Sequence, residues 1–154
     1  MLLDGKIALV TGAGQGVGQG IALALAAEGA AVAVTGRTLE KLEATCALIA
    51  ERGGRALPVV CDVKSTTSLE QCLAAVLGHF RGLNILVNNA QEVPLGSLQQ
   101  VTDDSFTAGW ESGPLATFRM MKLCYPHLKG DGCIVNLASS AAQRWDMSGY
   151  GAYA

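Results

Sequence analysis

Ile7-Ala8-Leu9-Val10-Thr11-Gly12-Ala13-Gly14-Gln15-Gly16-Val17-Gly18-Gln19-Gly20-Ile21-Ala22-Leu23-Ala24-Leu25-Ala26-Ala27 is the stretch that decides the fold. Its first four residues make a short apolar run suited to a buried strand, and its last seven continue as an alanine- and leucine-rich helix. Five glycines lie between the two runs. Glycine permits positive φ and lets backbone N–H groups approach a ligand closely. A helix N-terminus beneath such a turn favours an anion. Strand, glycine turn and helix together describe a phosphate cradle, and the phosphate expected in this setting is the pyrophosphate of a dinucleotide. The alternative is a glycine-rich strand-to-helix turn that holds nothing.

Downstream, apolar runs alternate with helical periodicity. Ala31–Thr35 reads as a second strand, and Leu39, Leu42, Ala47, Leu48 and Ile49 recur at helical spacing behind Thr38, a candidate N-cap. Residues 55–61 supply a third strand, where Pro58 suits an edge position. A helix from Ser65–Ser68 to about Phe80 precedes a fourth strand at 83–89. A long helix then starts at Thr102 or Asp103 and runs towards Leu128, with a kink expected at Gly113-Pro114 because proline removes a donor. Residues 133–137 are a fifth strand.

This βαβ rhythm predicts an α/β fold, a Rossmann-like doubly wound parallel sheet of order 3-2-1-4-5, as a single domain over residues 1–154. Ligands of such sheets sit beyond the carboxyl ends of the strands, where Thr11, Gly36, Asp62, Asn88 and Ser139 fall.

Composition narrows the classes. Half of the 154 residues are hydrophobic and 16% are charged, so a packed core is expected. A formal charge of −2 gives no electrostatic reason to expect nucleic acid or an anionic membrane as partner. No apolar run reaches the roughly 18 residues of a membrane span, and Met1–Lys6 is too short for a signal peptide. The five cysteines lack metal-ligand spacing, no metal is expected, and an odd count speaks against a disulfide framework, which favours a cytoplasmic setting. His79 and His127 read as helix-end surface residues.

The general G-x-G-x-x-G fingerprint does not fit the glycine turn in any register. T-G-x-x-x-G-x-G does, as Thr11, Gly12, Gly16 and Gly18. With Asn88-Asn89-Ala90, Ser139-Ser140 and Tyr153 following in order, the chain resembles the short-chain dehydrogenase/reductase family over essentially its whole length. The resemblance implies an oxidoreductase that passes hydride between a nicotinamide cofactor and a small-molecule carbonyl or alcohol. The alternative is a catalytically silent dinucleotide-binding fragment or subunit. The resemblance also implies a homo-oligomer when the chain is complete.

By the same resemblance, Thr11, Gly12, Gln15, Gly16, Val17 and Gly18 hold the cofactor, Asp62 and Val63 contact its adenine, and Asn88 and Ala90 stand beside it. Read singly, Asn88 and Asp62 would be ordinary strand-end and turn residues. Arg37 bears on which cofactor binds, because the position where NAD enzymes of this fold carry an acid is Gly36, followed by this cation. A guanidinium can hold a 2′-phosphate in bidentate fashion, which favours NADP(H) over NAD(H), the alternative being a solvated arginine in a turn.

Relatives carry a serine thirteen residues before the catalytic tyrosine, which selects Ser140 and Tyr153 over Ser139 and Tyr150. In the implied mechanism Tyr153 exchanges a proton with the substrate oxygen and Ser140 hydrogen-bonds it. An ordinary tyrosine holds its proton too tightly for a base near neutrality. The family's lysine four residues later lowers that affinity, and it would fall beyond Ala154, as would the family's later strands. On this expectation the fifth strand is an open apolar edge, prone to aggregation or dependent on a partner.

Two further departures stand out. Gly113 occupies the place of a family asparagine, with Ser112 as a conjectural substitute. Gln91 replaces the glycine of the family's N-N-A-G. Trp145, Met147 and the loop 91–96 are candidates for lining a substrate pocket, although Trp145 can equally pack on the sheet.

Overall fold

The computed structural model describes residues 1–128, 130–142, 149, 150 and 153. Its elements are β1 (Ile7–Val10), α1 (Gly16–Ala27), β2 (Ala31–Gly36), α2 (Leu39–Ala50), β3 (Arg55–Val60), α3 (Thr66–Phe80), β4 (Ile85–Asn88), α4 (Asp103–Trp110), α5 (Ala116–Cys124) and β5 (Cys133–Asn136). All strand pairs are parallel and the order is β3-β2-β1-β4-β5, as the alternating pattern predicts.

The two-residue period of the strands divides the core. Ala8, Val10, Val32 and Val34 point to one face, where α1 and α2 cover them with Ala22, Ala26, Leu42 and Ile49. Leu9, Ala33 and Leu86 point to the other, under Leu69, Leu73 and Val76 of α3 and Met120 and Cys124 of α5. Leu9, Val32, Val34 and Leu86 have no exposed surface, each burial being worth about 1.5–3 kcal/mol. Strands buried on both faces explain the continuous apolar runs of the central strands. Pro58 lies on β3, which pairs only with β2, so its missing N–H costs no inner ladder bond. At the opposite margin, Val135 and Leu137 on and just past β5 are 46% and 38% exposed.

Two local expectations take a specific form. Thr38 is the N-cap of α2 in extended conformation, and it caps through its carbonyl, which receives the N–H groups of Lys41 and Leu42, rather than through its hydroxyl. Ser65 and Thr102 are true side-chain caps, accepting from the N–H groups of Ser68 and Ser105. The second is at Pro114. The chain widens into a π-helical turn, Glu111–Leu115, between α4 and α5, and Pro114, which lacks the donor, lies inside it.

Among the described residues no helix is long and apolar enough to cross a membrane. His79 and His127 are exposed near helix ends, as expected.

Candidate functional site

The carboxyl ends of β1, β2, β3 and β4 open on a cleft of about 370 Å³, lined by the glycine turn, by Arg37 and Lys41, by Asp62 and Val63, and by Asn89 to Glu92. The central strands end side by side at this margin because the parallel registers place Val10 opposite Val34 and Val87.

The glycine turn is shaped by what stands behind it. Gly12 has φ +67°, and a Cβ there would come within 2.9 Å of the Ala90 Cα. Gly18 lies beneath the Gly12 carbonyl oxygen and Asn89 Nδ2, so a Cβ at 18 would overlap both. Asn89 is the clamp, with Nδ2 donating to the carbonyls of Thr11 at 2.8 Å and Gly12 at 3.1 Å. Thr11 Oγ1 accepts from the N–H groups of Asn89 and Ala90 at 2.9 and 3.0 Å, which ties the end of β1 to the end of β4.

No side chain caps α1, whose first residue is Gly16. Its first-turn N–H groups therefore lack a side-chain acceptor at a cleft wall kept free of Cβ atoms, and a phosphate group fits that cradle.

The sequence-selected residues fall into two sets. Gly12, Gln15, Gly16, Val17, Gly18, Arg37, Asp62, Val63 and Ala90 all line the cleft. Thr11 and Asn88 stand behind the wall, both buried. Thr11 braces Asn89 and Ala90, and Asn88 Nδ2 donates to Asn136 Oδ1 on β5 at 2.9 Å. Asn89, the neighbouring residue of the same segment, is the one that reaches the glycine turn. Lys41, whose Nζ donates to Gln15 Oε1 at 2.6 Å, also lines the cleft and was not singled out by sequence, and Glu92, of the loop 91–96 expected to line a pocket, lines it too.

Cys61 forms part of the floor. A hydrogen bond from the Cys72 thiol holds Cys61 below the ordinary thiol value, and the same bond, with burial, pushes Cys72 up.

The two departures, Gln91 and Gly113, meet in space. The Gln91 carboxamide lies over Gly113, with Oε1, Cδ and Nε2 all within 2.7 Å of the point where a Cβ would stand. A larger side chain at 113 and this position of Gln91 exclude each other. Ser112, next to Gly113, lines the cleft. Its buried hydroxyl accepts from the Glu92 N–H at 2.9 Å and donates to the Gly109 carbonyl, so it holds the loop after β4.

Ser140 opens a short 3-10 turn, Ser140–Ala142, and is exposed, while Ser139 Oγ accepts from the Ala141 N–H at 3.2 Å. The Tyr150 and Tyr153 rings lie 6.1 Å apart. The backbone of Tyr150 bridges to Gly96, and the neighbouring Gly149 carbonyl accepts from the Gly96 N–H at 2.8 Å, which docks this segment on the loop 91–96. Trp145 and Met147 lie outside the described residues.

Comparison with known proteins gives a consistent result. A family model described as short chain dehydrogenase matches residues 6–154. The chain is 39% identical over 149 residues to a 12alpha-hydroxysteroid dehydrogenase from a Clostridium species, covering 91% of this chain and 58% of that protein. It thus spans a little over half the length of that relative. Among solved structures, a short chain dehydrogenase from Burkholderia cenocepacia in complex with NADP superposes with a TM-score of 0.93 at 36% identity, covering 99% of this chain and 63% of the other. An NAD+-bound xylitol dehydrogenase superposes with a TM-score of 0.93 at 31% identity, covering 99% and 60%. With the parallel sheet, the glycine cradle and these matches in agreement, the chain belongs to the short-chain dehydrogenase/reductase family.

Proposed function

We propose that residues 1–154 form one dinucleotide-binding domain that takes NADP(H), in an oxidoreductase that passes hydride between that cofactor and a small-molecule carbonyl or alcohol. The observation that carries this reading is the cleft itself, with Gly12 and Gly18 clearing one wall and Arg37, Lys41 and Asp62 along the other. The nicotinamide ring, when bound, supplies or takes up the hydride.

The chain's own residues do the rest. Thr11, through Asn89 and Ala90, fixes the start of the glycine turn against the end of β4. Gly12, Gln15, Gly16, Val17 and Gly18 receive the phosphates, Asp62 and Val63 the adenine, and Asn88 and Ala90 flank the path towards the reacting end. Tyr153 exchanges a proton with the substrate oxygen and Ser140 hydrogen-bonds that oxygen. The alcohol-oxidising names of two matched proteins, the hydroxysteroid and xylitol dehydrogenases, support an alcohol or carbonyl substrate.

Arg37 carries the preference for the phosphorylated cofactor, a reading supported by its place on the cleft and by the absence of an acid at Gly36, while the matched structures include one with NADP and one with NAD+. Phe106, Trp110 and Phe118 are each more than half exposed along α4 and α5, which supports self-association through this helix pair. Five unpaired cysteines support a reducing, cytoplasmic setting.

The test is titration of NADPH and NADH by fluorescence. Arg37→Ala is expected to weaken NADPH by about ten- to a hundredfold, as for loss of a charge-assisted hydrogen bond, and to leave NADH nearly unchanged. An unaltered ratio of the two affinities would remove the NADP(H) assignment.

A further inference from the structure

Arg37 does not stand alone at the rim of the cleft. Its Nη1 donates to Glu92 Oε1 at 2.7 Å, and the same oxygen lies 3.0 Å from Lys64 Nζ. The three groups come from three strand ends, Arg37 after β2, Lys64 after β3 and Glu92 after β4. One carboxylate oxygen therefore holds two cations, of which Arg37 lines the cleft.

Glu92 is aimed there by its backbone. Its N–H is held by the buried Ser112 hydroxyl, itself bonded to Gly109 on α4. The remaining neighbours are engaged elsewhere. Asp62 Oδ1 accepts from the Lys64 N–H at 3.0 Å, Arg119 Nη1 donates to the Lys64 carbonyl at 3.1 Å, and Lys41 is bonded to Gln15. The Glu92 side chain is 29% exposed and that of Arg37 63%, so the carboxylate sits deeper than the guanidinium it neutralises.

We infer that Glu92 is a specificity-determining residue of the cofactor site: a built-in counter-ion that occupies Arg37 and opposes a 2′-phosphate there, narrowing the preference for NADP(H) that Arg37 creates. This rests on the reading of Arg37 as the 2′-phosphate ligand. A phosphate bonded to the same guanidinium meets the Glu92 carboxylate at close range, and like charges so placed destabilise each other. A ribose with a free 2′-hydroxyl meets no such conflict, because a carboxylate accepts a hydroxyl's hydrogen bond. Glu92 thus penalises one cofactor and tolerates the other.

The proposal is tested by equilibrium titration of NADPH and NADH against the unaltered chain, Glu92→Gln, Arg37→Ala and the double variant. Glu92→Gln preserves side-chain size and the backbone bond to Ser112, removes the negative charge and leaves one acceptor oxygen. It is expected to raise the NADPH-to-NADH affinity ratio about tenfold, a moderate charge effect for a partly exposed pair. That rise should be much smaller when Arg37 is alanine, because Lys64 is then the one cation of the two that the carboxylate still holds. If Arg37→Ala collapses the ratio and Glu92→Gln leaves it unchanged, Glu92 has no such role and the Arg37 assignment stands. If Arg37→Ala leaves the ratio unchanged, the assignment on which the inference rests is itself overturned.

Discussion

Gly18→Ala is expected to raise the dissociation constant for NADPH by about a hundredfold and to destabilise the chain by roughly 1–3 kcal/mol. The added Cβ would overlap the Gly12 carbonyl oxygen, a backbone atom, and Asn89 Nδ2. Neither can yield cheaply, since Asn89 also bonds the Thr11 carbonyl. The turn must open, and its N–H groups leave the geometry proposed to receive phosphate. Gly20→Ala, in the same helix, is the control. A Cβ there meets nothing within 4 Å. That variant should keep full affinity and gain up to about 1 kcal/mol from helix propensity. Thermal unfolding and NADPH titration of the two variants separate steric obstruction of the cradle from any general intolerance of α1 to alanine.

Tyr153→Phe carries the second large effect. On the role proposed for Tyr153, removing the hydroxyl takes away the proton exchange, and turnover of the whole oxidoreductase should fall by about 10²- to 10⁴-fold, the usual contribution of a positioned acid or base. NADPH affinity should remain within about twofold, because a group acting on the reacting oxygen contributes little to binding the cofactor. Tyr150→Phe provides the comparison, since the two rings are neighbours. Loss of turnover in Tyr150→Phe with retention in Tyr153→Phe would transfer the proton-exchange role to Tyr150.

The features legible in the sequence are those that depend on periodicity and local chemistry. Val32 and Val34 alternate with Ala33 across the sheet, and the five apolar runs separated by helical stretches lead directly to the observed strand order. The glycine turn was equally legible, because steric clearance at Gly12 and Gly18 requires a missing side chain at those positions.

Long-range side-chain partnerships were not legible. Nothing local to Arg37 announces Glu92, 55 residues away, and the pair forms only because β2 and β4 flank β1. Gln91 and Gly113 read as two separate departures from a pattern, yet in space one side chain lies where the other is lacking. Asn88 and Asn89 are adjacent and identical in type, and only the direction of each Cβ at the strand end decides which faces β5 and which the glycine turn. Thr38 is the cap its residue type suggests, but it starts α2 through its carbonyl rather than through its hydroxyl.

The cleft at the carboxyl ends of β1 to β4 is the proposed dinucleotide site. Amide chemical-shift mapping of the chain titrated with NADPH locates the bound cofactor. The largest changes are expected at Gly12 to Gly18, Arg37, Val63 and Ala90, saturating together at one dinucleotide per chain. A folded chain whose amides do not respond, or whose changes gather away from the glycine turn, would contradict the proposed site.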